Sequence, residues 1–197
     1  MWQGAEAAEA ARIAAEIVRE AALLVRRIQR ETVGGPLAKD DLSPVTVADF
    51  AAQALVAYRL AERFGDAPLV GEEDASTLRG DAGRPTLDQV ARFVGDAIPA
   101  ATPDAICDWI DRGAGAPPES FWTLDPVDGT KGFLRHDQYA IALAYVDRGR
   151  VSVGVLGCPE LKHACEPDPG GEGSLVVGVR DQGTWTQSLA QPSQTWH

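Results

Sequence analysis

Apolar positions near the start of the chain recur with helical spacing. Ile13, Ile17, Ala21, Leu24 and Ile28 are separated by four, four, three and four residues, which sets them on one stripe of an α-helix. Arg26, Arg27 and Arg30 fall in its last turns, where cations suit the negative end of the helix dipole. Gly34-Gly35-Pro36 then stops it. A second helix is predicted from near Thr46 to about Phe64. It carries Phe50, Ala54, Ala57, Ala61 and Phe64 on one face, with Gly65 as its C-terminal breaker. A third begins after Thr86 and aligns Leu87, Val90, Val94 and Ile98.

Strand patterns interleave with these helices and then take over. Pro68-Leu69-Val70 is a short extended run that ends at Gly71-Glu72-Glu73-Asp74, and Phe121 to Leu124 is another that ends at Asp125-Pro126. From Tyr139 to Val146, Tyr139, Ile141, Leu143 and Tyr145 alternate with Ala140, Ala142 and Ala144, the pattern of a strand packed on both faces. Asp147-Arg148-Gly149-Arg150 reads as a hairpin turn into a strand from Val151 to Leu156. Further strands are expected at residues 174–179 and from Thr184-Trp185 onward. Helices first and hairpin-linked strands later predict an α+β fold, with N-terminal helices layered on a largely antiparallel sheet. Arg112 to Pro118 reads as a surface loop. Residues 1–186 are expected to form one domain, and 187–197 an irregular tail.

Composition narrows the function classes. The 197 residues are 45% hydrophobic and 24% charged, an ordinary globular profile. No apolar run approaches the roughly 18 residues that span a bilayer, so no membrane partner is expected. The first twenty or so residues lack the apolar core of a signal peptide, which makes the cytoplasm the expected location, or an organelle if a longer precursor carries a presequence. A net charge of −11 repels polyanions, so a nucleic acid polymer is not an expected partner. An anionic small molecule would need cations to invert the local field. Cys107, Cys158 and Cys165 are odd in number and follow no disulfide pattern. Cys158, His163 and Cys165 invite a zinc reading but lack a second pair of ligands with zinc spacing, and free thiols are the expectation.

The informative chemistry is a set of acids at the ends of predicted elements: Asp49, then Glu72 and Glu73, then Asp125 and Asp128. Proline in Asp125-Pro126-Val127-Asp128 fixes one φ angle and removes a donor. A stiff turn of this kind can aim two carboxylates and the Val127 carbonyl at one point, the oxygen set that suits Mg²⁺. Like charges about 4 Å apart cost about 4 kcal/mol per pair at an effective dielectric near 20, so such a cluster calls for dications. Gly129 allows a close backbone approach to a phosphate, and Thr130 can orient a water. Each piece has a plainer reading. Thr46 and Asp49 match a capping box, Glu72-Glu73-Asp74 an exposed acidic turn, and Asp128-Gly129 a common turn dipeptide. The ordered combination is what points to a phosphate site.

At these residues the chain resembles the inositol monophosphatase superfamily of lithium-sensitive, Mg²⁺-dependent phosphatases. The resemblance rests on Gly71-Glu72-Glu73 and on the run from Trp122 to Thr130. The flanking text, Ser43-Pro44-Val45-Thr46-Val47-Ala48-Asp49, Thr130 to Arg135, Gln138-Tyr139-Ala140 and Gly154 to Pro159, is similar to its 3′(2′),5′-bisphosphate nucleotidase branch. That branch hydrolyses the 3′-phosphate of adenosine 3′,5′-bisphosphate, a by-product of sulfation, and often acts on the sulfated form. The resemblance implies two or three Mg²⁺ ions. Glu72, Asp125 and the Val127 carbonyl would hold the first, and Asp125 with Asp128 the second, with Glu73 as an outer acid or third-metal ligand. It gives Asp49 and Thr130 the attacking water, and Gly129 with Thr130 the phosphate. The family takes a further Asp from a Trp-Asp motif in its C-terminal half, whereas Trp185 and Trp196 here are not followed by Asp. The expectation is therefore a truncated form lacking the C-terminal half.

Overall fold

The computed structural model of the protein describes residues 5–33 and 43–191. The first helix, α1 (Ala5–Thr32), starts well ahead of Ile13, because Ala7, Ala10, Ala11 and Ala14 continue its buried stripe and alanine is the best helix former. Its expected stop, Gly34-Gly35-Pro36, lies outside the described residues. Arg26 does not serve the helix dipole from the surface. It is buried and donates to the Gly171 carbonyl at 2.9 Å. Arg27 pairs with Glu31 and Asp96 at 2.7 and 2.8 Å.

Helix α2 (Pro44–Phe64) begins earlier than Thr46. Ser43 is its N-cap, accepting from the Thr46 N–H at 3.4 Å, and Pro44 fills the first turn, where a missing N–H costs nothing. The capping box of Thr46 and Asp49 therefore does not form, and Asp49 stands in the second turn with its carboxylate released from that task. Strand β1 (Leu69–Val70) follows. Helix α3 (Arg84–Ala97) also has a proline in its first turn, Pro85, and starts just before Thr86. Helix α4 (Pro103–Asp111) was not legible as a helix in the pattern, since nine residues give too few turns for a period to show. Thr102 caps it by accepting from the Ala105 N–H at 3.2 Å, and Ile106, Cys107 and Ile110 are buried.

The remaining elements are β2 (Ser120–Asp128), the short helix α5 (Thr130–Arg135), β3 (Ala140–Asp147), β4 (Arg150–Cys158), β5 (Leu161–Lys162), β6 (Glu166–Pro167), β7 (Ser174–Val179) and β8 (Gly183–Ser188). The main sheet runs β1-β2-β3-β4-β7-β8, with β5 and β6 forming a separate small hairpin. Every pairing in the main sheet is antiparallel except β1 with β2, so the expected α+β fold with a largely antiparallel sheet is found. The turn between β3 and β4 places Arg148 and Gly149 at φ 49° and 73°, the left-handed pair that a two-residue hairpin loop requires. The expected irregular tail from Gln187 begins too early. Gln187 and Ser188 pair with Leu175 and Ser174, and buried Leu189 donates to the Gly173 carbonyl at 3.1 Å. Residues 192–197 lie outside the described part.

Helices α1 and α2 lie against one face of the sheet. Leu124, Leu143, Val155 and Val177 point into that layer and are buried. Trp122 is fully buried between Phe64 and Tyr145, with ring centroids 5.3 Å from each. Helix α2 is buried almost all round, since α3 and α4 pack on its other side. On the opposite face, Ala142, Ala144, Gly154, Leu156, Val176 and Gly178 form an apolar surface that none of the described residues covers, and Leu156 is 41% exposed. No described helix is long and apolar enough to cross a membrane. The described cysteines are free thiols, with Cys107 and Cys158 buried and Cys165 exposed.

The approach of α1 to the sheet depends on Gly157, where a Cβ would stand 2.9 Å from Ala22 Cβ and 3.0 Å from Val18 Cγ1. Gly157→Val is expected to destabilise the fold by about 1–3 kcal/mol through overpacking, read as a lower denaturant midpoint with unchanged slope. An unchanged midpoint would show that α1 does not sit where described.

Candidate active site

The parallel pairing of β1 with β2 brings the first two acidic segments together. Leu69 is level with Trp122 and Val70 with Thr123. Two residues further along each chain stand Glu72 and Asp125, so strand parity carries the two carboxylates to neighbouring positions. Asp49 reaches the same place from α2, which packs on β2.

Asp125 and Asp128 do not sit in a turn after a strand, as the proline suggested, but within β2 itself. Asp125 pairs with Ala142 and Asp128 with Ala140, so three steps on β2 match two on β3. This is a bulge, and Pro126, which cannot donate to a ladder, occupies it with Val127. In a regular strand, residues three apart face opposite sides. The extra residue restores a common side for the two aspartates. Pro126 and Val127 are themselves buried, while Asp128 is exposed.

Gly129 follows with φ 96°, a left-handed conformation that favours glycine. A Cβ there would also press to 3.2 Å from both the Gln138 carbonyl oxygen and Tyr139 Cα. Its carbonyl accepts from the Phe133 N–H at 3.0 Å, opening α5 with Thr130 as the first helical residue. Thr130 is exposed, and first-turn N–H groups have no partner inside a helix. Sequence reading missed α5, a six-residue helix without a full period. Two contacts fix it from below. Phe133 is fully buried and meets the Tyr139 ring edge-on at 5.3 Å, and buried Gln29 of α1 donates to the Phe133 carbonyl at 2.7 Å.

The acids share one electrostatic field. Burial pushes the half-buried Asp49 carboxyl up to about 8, and the charges of Glu73, Glu72 and Asp125 add to the shift. Burial also raises Asp125, with Glu72 and Asp128 as further causes, and raises Glu73, with Glu72 and Asp74 contributing. The structure therefore brings Asp49, Glu72, Glu73, Asp125 and Asp128 into one neighbourhood. It does not close them into a cage: among the described residues, no three acid, histidine or cysteine side chains form a ready-made coordination group. One observation fits a cation directly. Asp125 Oδ1 is buried and has no hydrogen-bond partner, an arrangement that costs free energy unless a positive charge satisfies it.

Sequence reading also missed Gln53. It lies one turn beyond Asp49 on α2 and is fully buried, and its amide contacts the backbone of Glu72 and Glu73. The available signal was a single amide in the otherwise apolar run Ala51-Ala52-Gln53-Ala54-Leu55-Val56-Ala57.

The same arrangement of a helical layer on a largely antiparallel sheet is found in solved structures. The protein aligns structurally with Mycobacterium tuberculosis SuhB at a TM-score of 0.57 and 18% identity, covering 98% of this chain and 52% of that one. It aligns with CysQ from Bacteroides thetaiotaomicron, described as a bacterial member of the inositol monophosphatase family, at 0.56 and 18%, covering 95% and 52%. The inositol monophosphatase family profile matches residues 3–195. The chain belongs to the inositol monophosphatase family, a family of metal-dependent enzymes. In sequence it is 37% identical over 195 residues to the 3′(2′),5′-bisphosphate nucleotidase of Schizosaccharomyces pombe, covering 90% of this chain and 55% of that protein. It is 46% identical over 137 residues to the 3′,5′-bisphosphate nucleotidase AHL of Arabidopsis thaliana, covering 61% and 37%. The chain spans about half the length of the relatives it matches.

A carboxyl held at about 8 against an ordinary value of 3.8 favours the protonated folded state. Its contribution to stability is full below about pH 4 and is lost as pH rises toward 8. In chelator, Asp49→Asn is expected to flatten this part of the stability profile and to gain about 1–3 kcal/mol at pH 8, allowing for partial solvation. Thermal unfolding from pH 4 to 8 checks this, and parallel profiles for the two proteins would show that Asp49 carries no buried charge.

Proposed function

We propose that this chain carries the metal- and phosphate-binding half of a phosphomonoesterase that removes the 3′-phosphate of adenosine 3′,5′-bisphosphate, and of its sulfated form. The observation that carries the reading is the electrostatic coupling of Asp49, Glu72, Glu73 and Asp125 beside the Asp128-Gly129-Thr130 turn, in a chain whose relatives are named 3′(2′),5′-bisphosphate nucleotidases. Lys131-Gly132-Phe133 supports the nucleotide over an inositol or other sugar monophosphate, which is the alternative substrate class.

In this reading Glu72, Asp125, Asp128 and the Val127 carbonyl hold two Mg²⁺ ions, and Glu73 serves as an outer acid or holds a third. Bound magnesium would lower the pKa of water and neutralise the phosphate charge. The chain's own groups do the rest. Asp49, ionised once bound cations offset the neighbouring carboxylates, would accept a proton from the attacking water, and the Thr130 hydroxyl orients that water. The left-handed backbone at Gly129 turns the first N–H groups of α5 toward the phosphate oxygens.

A second reading is a domain that binds metal and phosphate without turnover. It is supported by the absence of a closed coordination group among the described residues. Phosphate release from adenosine 3′,5′-bisphosphate and inositol 1-phosphate, measured against added Mg²⁺, separates the readings. We expect release from the nucleotide and none from inositol 1-phosphate. Asp128→Asn should reduce the release by about 100-fold or more. Binding of Mg²⁺ without release favours the silent domain, and an Asp128→Asn protein of unchanged rate refutes the site assignment.

A further inference from the structure

The buried amide of Gln53 has no part in the chemistry proposed above, yet its hydrogen bonds are spent almost wholly on the acidic loop. Oε1 accepts from the Glu72 N–H at 3.1 Å and from the Glu73 N–H at 3.0 Å. Nε2 donates to the Glu73 carbonyl at 2.6 Å and to the Ile110 carbonyl at 2.9 Å. A glutamine side chain offers two donors and two acceptor lone pairs, and all four are used here. Only one orientation of the amide serves two N–H groups at one end and two carbonyls at the other. A flipped amide would meet donors with donors and acceptors with acceptors.

The surrounding backbone is shaped to admit this one group. A Cβ on Gly71 would lie 2.4 Å from Gln53 Oε1, and one on Gly113 would lie 2.8 Å from Nε2. Between the two glycines, the Gly71 N–H donates to the Gly113 carbonyl at 2.9 Å. Three distant segments (the middle of α2, the loop after β1 and the end of α4) therefore meet on a single amide. The loop is anchored a second time where Asp111 Oδ1 accepts from the Ala75 N–H at 2.8 Å.

Gln53 lies four residues after Asp49, so the two side chains leave the same face of α2 one turn apart. Consecutive N–H groups of Glu72 and Glu73 are held on that face, and the place of their carboxylates relative to Asp49 is set through one rigid connector. We infer that Gln53 is a positioning residue for the metal site: it fixes the Glu72-Glu73 backbone against the Asp49 turn of α2 and so keeps these like charges in one neighbourhood. The inference rests on the metal reading of the carboxylate cluster. Without the amide, two peptide N–H groups and the Glu73 carbonyl lose their partner, the Ile110 carbonyl keeps only the Gly113 N–H at 3.0 Å, and the mutual repulsion of the acids moves the loop outward. The cation would then have to reassemble the site at the moment of binding.

The test uses the whole 197-residue chain and Mn²⁺ as a spectroscopic stand-in for Mg²⁺. Gln53→Leu keeps the burial and removes all four hydrogen bonds. Leu60→Ala, on the same helix about three turns beyond Asp49 and 1% exposed, supplies a core variant that leaves the Gln53 hydrogen bonds in place. Mn²⁺ dissociation constants from electron paramagnetic resonance are expected to rise by about 10- to 100-fold in Gln53→Leu, the usual loss for an outer-shell partner, and by less than about twofold in Leu60→Ala. In metal-free protein, the Glu72 and Glu73 amides should exchange with solvent at least about tenfold faster in Gln53→Leu than in Leu60→Ala. Equal exchange at these two amides overturns the inference whatever the metal does. Metal binding that is lost in Asp125→Asn but kept in Gln53→Leu overturns the positioning role and leaves the metal reading standing. Failure of the unaltered chain to bind Mn²⁺ overturns the metal reading and the positioning role with it.

Discussion

Partial burial of like-charged carboxylates side by side is the constraint around which this part of the molecule is arranged. The parallel register of β1 on β2 sets Glu72 beside Asp125, and the bulge at Pro126-Val127 turns Asp128 to the same side. Helix α2 adds Asp49 from behind, and the raised carboxyls of Asp49, Glu73 and Asp125 record the cost. A fold optimised for stability alone would not gather these groups in partial burial. The strain is of the kind that functional sites keep and the rest of the structure offsets.

That offset comes from the layers that immobilise each acid-bearing segment. Helix α2 is buried on almost every side, so Asp49 rides on the most constrained element of the chain. Strand β2 is held by the Trp122 cluster on its helical face and by the β3 ladder along its length. The Glu72 loop has no strand of its own and is held by side chains, Gln53 and Asp111, instead of by a ladder. Helix α5 is pinned by Gln29 and Phe133. Buried amides recur at the points where a loop must be placed accurately, because an amide can satisfy peptide donors and acceptors together without adding charge to an already acidic region.

The opposite face of the sheet has a different character. Alternation of large and small residues in β3 announced two packed faces, and only one is packed by the described residues. Ala142, Ala144, Gly154 and Gly178 give a shallow apolar surface continuous with Asp125. The site thus stands at the rim of a layer that the described residues leave uncovered, in a chain that spans about half the length of its relatives.

The amino-acid sequence alone determined the helices with a full period, the hairpin strands, the α+β class and the identity of the acids, because each of these is written in spacing or in a contiguous motif. Residue chemistry also pointed to hard oxygen ligands in the Asp125-Asp128 segment. What only the tertiary structure decided was where those acids lie relative to one another. The parallel crossover through α3 and α4 joins positions some fifty residues apart in the chain, and the extended run at Leu69-Val70, though legible, does not announce its partner. The Pro126 segment looked like a turn because proline signals one, whereas the pairing of its neighbours made it a bulge. Ser43, not Thr46, capped α2, since proline at the following position favours that start. Gln53 carried no motif at all, for a buried amide is recognisable only by the backbone groups that meet it, and those come from segments that sequence keeps far apart.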